Sequence, residues 1–309
     1  MGMKVLVTGG AGYIGCVLVP MLLEAGHEVR VLDSLRKGGQ GLLPWVGHPH
    51  LEVLSRDIRD AAAVKEAVKG VDVVMHLAAI VGYPACQKDP WTARTTNVDG
   101  TINLIEQRSP QQLIVFPSSL SNYGAVADGV CTEEMEPKPI TLYGTIKLEA
   151  EKRLLEAGNV IVYRPATAFG LSPQMRLDLL FNEFVYRALK ERYLVVYEPH
   201  FMRAFINVRD FARALLFAVE NADTMLNQVY NLGSESLNLT KGDLALRIRE
   251  KLDFVLHTSE AEGGDPDKRN YTVSFAKLRT LGYQAEVSVE QGIEELARGL
   301  SISSTLSVT

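Results

Sequence analysis

Short β-branched and aliphatic runs alternate with helix-length stretches through the first half of the chain. The runs are Lys4–Thr8, Glu28–Asp33, Leu51–Ser55, Val71–His76, Leu113–Pro117 and Val160–Tyr163. Between them lie Gly12–Ala25, Ala61–Lys69, Trp91–Arg108 and Leu142–Ala157. Apolar strands separated by helices predict βαβ units and a buried parallel sheet. After Pro165 the pattern loosens. It predicts a helix over Leu177–Lys190, a strand over Tyr193–Tyr197 and a segment Ala204–Val208. Helices over Asp210–Glu220, Lys241–Leu252 and Val289–Leu300 follow. The expected class is α/β: a doubly wound parallel sheet in residues 1–165, then a smaller mixed α/β domain in 166–300. A segment near 203–222 is expected to return to the first domain, and 301–309 to form a flexible tail.

Composition narrows the class without naming a chemistry. At roughly 150 residues per domain, 309 residues make about two. Apolar residues are 47% and charged residues 22%, the balance of a soluble globular protein, which excludes a disordered chain, a collagen or a coiled coil. The net charge of −5 offers no general attraction for nucleic acid or an anionic membrane. Cys16, Cys86 and Cys131 are odd in number and form no CxxC, so free thiols in a reducing cytoplasm are expected. The start, MGMKVLVTGG, reads as neither leader nor anchor, and no run of about 20 apolar residues occurs. The six histidines show no ligand spacing such as HExxH, so no metal is expected.

The first candidate chemistry lies where strand Lys4–Val7 runs through Thr8-Gly9-Gly10-Ala11-Gly12-Tyr13-Ile14-Gly15 into an apolar helix. Gly9 permits a tight turn, Gly12 lets backbone approach a pyrophosphate, and Gly15 lets helix and strand pack. The helix N-terminus offers free N–H groups and about half a positive charge to phosphates. This strand–loop–helix context predicts a Rossmann-type dinucleotide domain before residue 165, leaving substrate binding mainly to the remainder. Asp33 ends the second strand 18 residues beyond Gly15, where a carboxylate can accept both ribose hydroxyls. It would repel a 2′-phosphate, so NAD is favoured over NADP. Arg36 and Lys37 either soften that choice or are solvated loop charges. Asp57 is placed to meet the adenine amino group, while Asp60 better fits a helix N-cap. His76-Leu77-Ala78-Ala79 ends the fourth strand, where small residues let a cofactor lie against backbone. His76 itself reads as a satisfied strand-end histidine.

Tyr143-Gly144-Thr145-Ile146-Lys147 is YxxxK on a predicted helix, so phenol and ammonium share a face. Ser118-Ser119-Leu120-Ser121-Asn122-Tyr123-Gly124 follows the fifth strand, at the carboxyl edge where open α/β sheets hold ligands. A free phenol ionises near pH 10, so a base at neutral pH needs about 4 kcal/mol of help. An ammonium at about 4 Å supplies about that much at an effective dielectric of about 20, and little more than half of it at about 7 Å. Lys147 alone would then fall short, and the positive nicotinamide of NAD⁺ would supply the rest. In this scheme the Tyr143 phenolate removes a hydroxyl proton while hydride leaves the same carbon, and Ser119 holds that oxygen in line.

These motifs, in this order from Lys4 to about Leu296, resemble the extended short-chain dehydrogenase/reductase family in its nucleotide-sugar epimerase/dehydratase branch. The resemblance implies a Rossmann-type fold, NAD and a homodimer built through the Tyr143 helix. It implies a catalytic Ser119, Tyr143 and Lys147. It assigns Gly9, Gly12, Tyr13, Ile14, Gly15, Asp33, Asp57, Ile58, Leu77, Ala78, Ala79, Asn97, Tyr143 and Lys147 to the cofactor, with Asn97 as the family's structural asparagine. Arg203-Ala204-Phe205-Ile206-Asn207-Val208 is similar to a family segment whose arginine contacts the substrate phosphate, and Tyr230-Asn231-Leu232-Gly233 is also typical. Thr167 stands where the family often has Asn beside the sugar diphosphate. Ile146 replaces the usual Ser before the catalytic Lys, a packing change.

The 4,6-dehydratase members carry Asp-Glu directly after the catalytic residue; here those places hold Leu120 and Ser121, which disfavours dehydration. The stretches 172–182 and 264–271 resemble a subgroup that includes GDP-heptose 4-dehydrogenases of surface-polysaccharide pathways. There Arg176, Asn182 and Arg269, with Ser119, Thr167 and Arg203, are the expected substrate contacts. The expected activity is NAD-dependent oxidation at C4 of a nucleotide-diphosphate sugar, by a 4-epimerase or a 4-dehydrogenase. The rival is a non-catalytic NAD-binding sensor or scaffold, which the intact Ser119, Tyr143 and Lys147 set disfavours.

Overall fold

The structure, a computed structural model, describes residues 2–126, 129–261 and 270–302. Five parallel strands come first: β1 (Lys4–Thr8), β2 (Glu28–Asp33), β3 (Leu51–Ser55), β4 (Val73–His76) and β5 (Leu113–Pro117). A two-residue strand β6 (Val130–Cys131) precedes β7 (Val160–Pro165). The seven-stranded sheet runs β11-β7-β5-β4-β1-β2-β3, where β11 is Gln228–Leu232. Every pairing in it is parallel. Its central strands β1, β4, β5 and β7 are buried on both faces because helices cover both. Helices Gly15–Glu24 and Val208–Glu220 bury Leu18, Leu22, Phe211 and Leu215 against Val5, Val7, Val31 and Val115. Helices Ala61–Val68, Gly100–Gln107 and Leu142–Ala157 bury Val64, Leu104 and Leu154 against Leu6, Val74 and Ile114.

The chain leaves β3 at one edge and re-enters at β4, on the other side of β1. The loops after β1 and β4 therefore open next to each other, which is where a doubly wound sheet leaves a crevice. The sheet is not complete at residue 165. Strand β11 pairs with β7 at its far edge, and helix Val208–Glu220 lies against helix Gly15–Glu24. Nothing in the alternation of apolar residues marked Gln228–Leu232 as a strand of the large sheet.

The smaller body holds β8 (Thr167–Phe169), β9 (Tyr193–Tyr197), β10 (Met202–Asn207), β12 (Asn238–Thr240) and β13 (Val255–Ser259). These form two small sheets, β12-β10-β8 and β13-β9, while β14 (Thr272–Val273) pairs with β6. Its core is aromatic: Phe181 stacks on Phe169 at 4.0 Å between centroids and meets Phe205 edge-on at 5.5 Å.

Two helices differ from the sequence expectation. Trp91–Arg108 is not one α-helix; Pro90–Arg94 passes through a π turn at Thr95–Asp99 into Gly100–Gln107. Such a turn inserts a residue and re-aims a side chain, here that of Asn97. The second helix begins at Leu180 rather than Leu177 and ends in another π turn, Arg187–Glu191, before Arg192 in the left-handed region at φ 58°. The three cysteines are buried and none is in a disulfide among the described residues, where no helix is long and apolar enough to cross a membrane.

Because Phe181 has no exposed surface and packs against two rings, Phe181→Ala is expected to lower stability by about 3–5 kcal/mol. Urea unfolding followed by circular dichroism measures this.

Candidate active site

The glycine loop is shaped by close backbone approach. Gly9 has φ 72°, and a Cβ there would sit 2.7 Å from the Ala78 nitrogen. A Cβ on Gly15 would sit 2.5 Å from the Gly10 carbonyl oxygen. The loop after β1 thus presses directly on the backbone after β4, where Leu77 N donates to the Thr8 carbonyl at 3.0 Å. Half-buried Ile14 caps the next helix without a side-chain acceptor. Asp33 ends β2 with both oxygens held, accepting from Ala11 N at 3.0 Å and Leu35 N at 2.8 Å. A Cβ-free cradle, a helix N-terminus that Ile14 leaves without a side-chain cap and a fixed carboxylate at the end of β2 fit a dinucleotide.

The other expected cofactor contacts divide. Ala78 and Ala79, half-buried, follow Leu77 along the crevice. Asn97 clamps the end of that segment, accepting from Ile80 N at 2.7 Å and donating to Ile80 O at 2.9 Å. Its amide is spent on backbone, so it shapes the crevice from behind. Asp57 grips Arg59 through Nη2 at 2.7 Å and Nε at 3.0 Å, and those hydrogen bonds hold its carboxyl below the usual carboxylate range. Asp60 caps the following helix through Ala62 N at 2.9 Å. Ile58 is buried in the core against Gly100, with its carbonyl accepting Asn103 Nδ2 at 3.1 Å. His76 is fully satisfied. Thr101 donates to the Asn97 carbonyl at 2.7 Å and so accepts from Nε2, while Nδ1 meets Thr8 Oγ1 at 2.8 Å. Burial pushes His76 down to about 3, so it stays neutral.

Ser119 follows β5, and the helix that carries Tyr143 and Lys147 starts against the turn that Ser119 opens. Ser119 follows the strand and opens the turn Leu120–Tyr123. Thr141 caps the Tyr143 helix, accepting from Gly144 N at 3.1 Å. A Cβ on Gly144 would lie 2.8 Å from the Ser121 carbonyl oxygen, so only glycine lets this helix start against the Ser119 turn. Lys147, one turn beyond Tyr143, is 4% exposed, with Nζ 4.0 Å from the Phe116 ring centroid. Burial pushes it down to about 7, partly offset by the Glu151 carboxylate. Burial thus opposes the full ammonium that the sequence leads one to expect at Lys147.

Behind this set lies a polar network that sequence reasoning missed. Glu151 pairs with Arg164 at 2.6 Å and accepts from Asn122 Nδ2 at 2.8 Å. Arg164 also donates to the Tyr123 hydroxyl at 3.0 Å, which donates to Asn231 at 2.7 Å. The i+4 spacing of Glu151 from Lys147 was the available signal.

The expected substrate contacts also divide. Arg176 reaches the crevice from the smaller body, pairs with Asp178 through Nε at 2.6 Å and lies within electrostatic range of Tyr143. Thr167 is half-buried on β8. Arg203 is buried on β10, donating to the Met202 carbonyl at 2.8 Å, with its guanidinium 5.9 Å from the Phe201 ring. Arg269 lies outside the described residues. Asn182 contradicts the expectation. It has no exposed surface, accepts from Gly170 N at 2.9 Å, and donates to Arg176 O at 2.9 Å and the Tyr13 hydroxyl at 3.2 Å. Tyr13 in turn donates to the Gly170 carbonyl at 2.7 Å, and burial pushes its phenol well up. The hydroxyl of Tyr13 and the amide of Asn182 therefore lock the glycine loop to the smaller body.

Residues 5–233 match the NAD dependent epimerase/dehydratase family. The low-salt glycan biosynthesis protein Agl12 of Haloferax volcanii is 29% identical, over 94% of this chain and 96% of its own. The UDP-glucose 4-epimerase of Thermus thermophilus, solved with NAD, superposes at TM-score 0.82 with 26% identity, covering 97% of this chain and 100% of that one. The dTDP-glucose 4,6-dehydratase DesIV of Streptomyces venezuelae superposes at 0.84 with 27% identity, covering 96% of each chain.

Lys147 ionises near 7 when folded but near 10.5 when exposed, so between these values the unfolded chain binds the extra proton and stability rises with pH. Lys147→Met is therefore expected to be about 1–4 kcal/mol more stable than the parent near pH 7 without cofactor, the gap closing as pH rises towards 10. Urea unfolding across that range checks it; a gap independent of pH would contradict the buried cation.

Proposed function

Because this chain belongs to the NAD dependent epimerase/dehydratase family, we propose that it oxidises C4 of a nucleotide-diphosphate sugar with NAD, as a 4-epimerase or a 4-dehydrogenase. What supports this reading is that the turn opened by Ser119 and the start of the helix bearing Tyr143 and Lys147 pack together after β5, in a chain that also carries the glycine cradle.

In this reading Gly9, Gly12 and Gly15 hold the pyrophosphate, Asp33 the adenosine ribose, Asp57 the adenine edge, and Leu77 to Ala79 the path to the nicotinamide. When bound, NAD⁺ supplies the acceptor for the hydrogen and electron pair that leave C4. Tyr143 takes the proton of the C4 hydroxyl, and Ser119 hydrogen-bonds the same oxygen. Lys147 sits one turn away, and an anionic ligand beside it favours its protonated form, which in turn favours the Tyr143 phenolate. Arg176 and Arg203 supply positive charge for the substrate diphosphate. Leu120 and Ser121 follow Ser119 and neither is an acid, so that turn offers no carboxyl pair for eliminating water.

Incubation with UDP-, GDP-, CDP- and dTDP-sugars tests the reading. A 4-keto product with stoichiometric NADH identifies a dehydrogenase, an isomer at constant cofactor an epimerase; no turnover of any of them would overturn both. Tyr143→Phe is expected to lower kcat by about 100-fold or more while NAD affinity stays within a few-fold. Unchanged turnover would remove Tyr143 from its role.

A further inference from the structure

We propose that Ser121 is a positioning residue that commits Ser119 to donate, not accept, the hydrogen bond at the oxygen being oxidised. This rests on the reading above that Ser119 faces that oxygen. A serine hydroxyl carries one O–H and two acceptor lone pairs. On Ser119 both lone pairs are engaged by one residue: Ser121 N–H at 3.1 Å and the Ser121 hydroxyl at 2.7 Å. Both serines are nearly buried, at 9% and 8% exposure, so water competes little for these bonds. Among the described residues no acceptor takes the Ser119 proton, which leaves O–H donation as its remaining capacity.

The turn that imposes this is held on several sides. Asn122 N donates to the Ser119 carbonyl at 3.2 Å, and Asn122 Nδ2 to Ser118 Oγ at 2.9 Å. The Tyr271 hydroxyl donates to the Leu120 carbonyl at 2.9 Å, and the Ser121 carbonyl lies against Gly144. Ser121 therefore cannot swing away cheaply.

The chemical consequence concerns who receives the proton. A Ser119 with a free lone pair would accept from the substrate hydroxyl and compete with Tyr143 in the ground state. A Ser119 that only donates leaves Tyr143 as the sole acceptor, and its own bond strengthens as charge builds on the oxygen. Ser119 loses no proton in this step.

A double-mutant cycle tests the proposal, with thermal melts first confirming that each variant folds. Ser121→Ala is expected to lower kcat about 3- to 10-fold, the worth of one hydrogen bond, with KM nearly unchanged. Ser121→Thr, which keeps the hydroxyl, restores kcat. In a Ser119→Ala background Ser121→Ala has no further effect, because Ser121 acts only through Ser119. Equal losses in both backgrounds, or no rescue by threonine, would overturn the proposal while leaving the proposed activity intact. Absence of turnover by the parent protein is the separate failure of that activity. A crystal structure of Ser121→Ala gives a readout without catalysis: Ser119 is expected in two rotamers, and one unchanged rotamer would overturn the proposal.

Discussion

Glu151 and Arg164 are almost wholly removed from water, and their side chains meet at 2.6 Å. Such a pair adds little net stability over an apolar one, but losing either partner strands a charge at a cost of about 3–5 kcal/mol. That constraint organises the site. Glu151 belongs to the helix that carries Tyr143 and Lys147, and Arg164 to β7. The remaining valences reach Asn122 in the Ser119 turn, and Tyr123, which continues to Asn231 on β11. One ion pair and its hydrogen bonds therefore tie together the helix that carries Tyr143 and Lys147, the Ser119 turn, β7 and β11. Its carboxylate also lies near enough to Lys147 to oppose the loss of charge that burial imposes there.

A second constraint joins the two bodies. Tyr13, in the glycine loop, and Asn182, in the smaller body, are hydrogen-bonded to each other and to the two ends of Gly170. Ser172 Oγ adds a bond to the Tyr13 carbonyl at 2.7 Å. The loop that fits the cofactor phosphates is thus held by the body that brings Arg176 towards Tyr143. The proposed cofactor and substrate subsites therefore share a wall.

Net charge is a poor guide to such a site. The chain is acidic overall at −5, yet Lys147, Arg176 and Arg203 are all drawn inward. Burial makes each of them more consequential than any surface cation, because low dielectric weakens screening.

The sequence by itself determined the elements and the chemistry-bearing motifs. Apolar runs located the first five strands closely, the glycine spacing marked the loop, and YxxxK placed phenol and ammonium on one helix face. These are local properties, set by backbone geometry over a few residues. Tertiary structure decided the partners. Asn182 looks like a ligand contact until a fold brings it to Tyr13, 169 residues away, and spends its amide on that hydroxyl and on backbone. Asn97 is aimed by a π turn that no pattern of apolar residues marks, and β11 joins the large sheet only because β7 offers an open edge. A hydrogen bond depends on what lies across the crevice, and that information is spread along the whole chain.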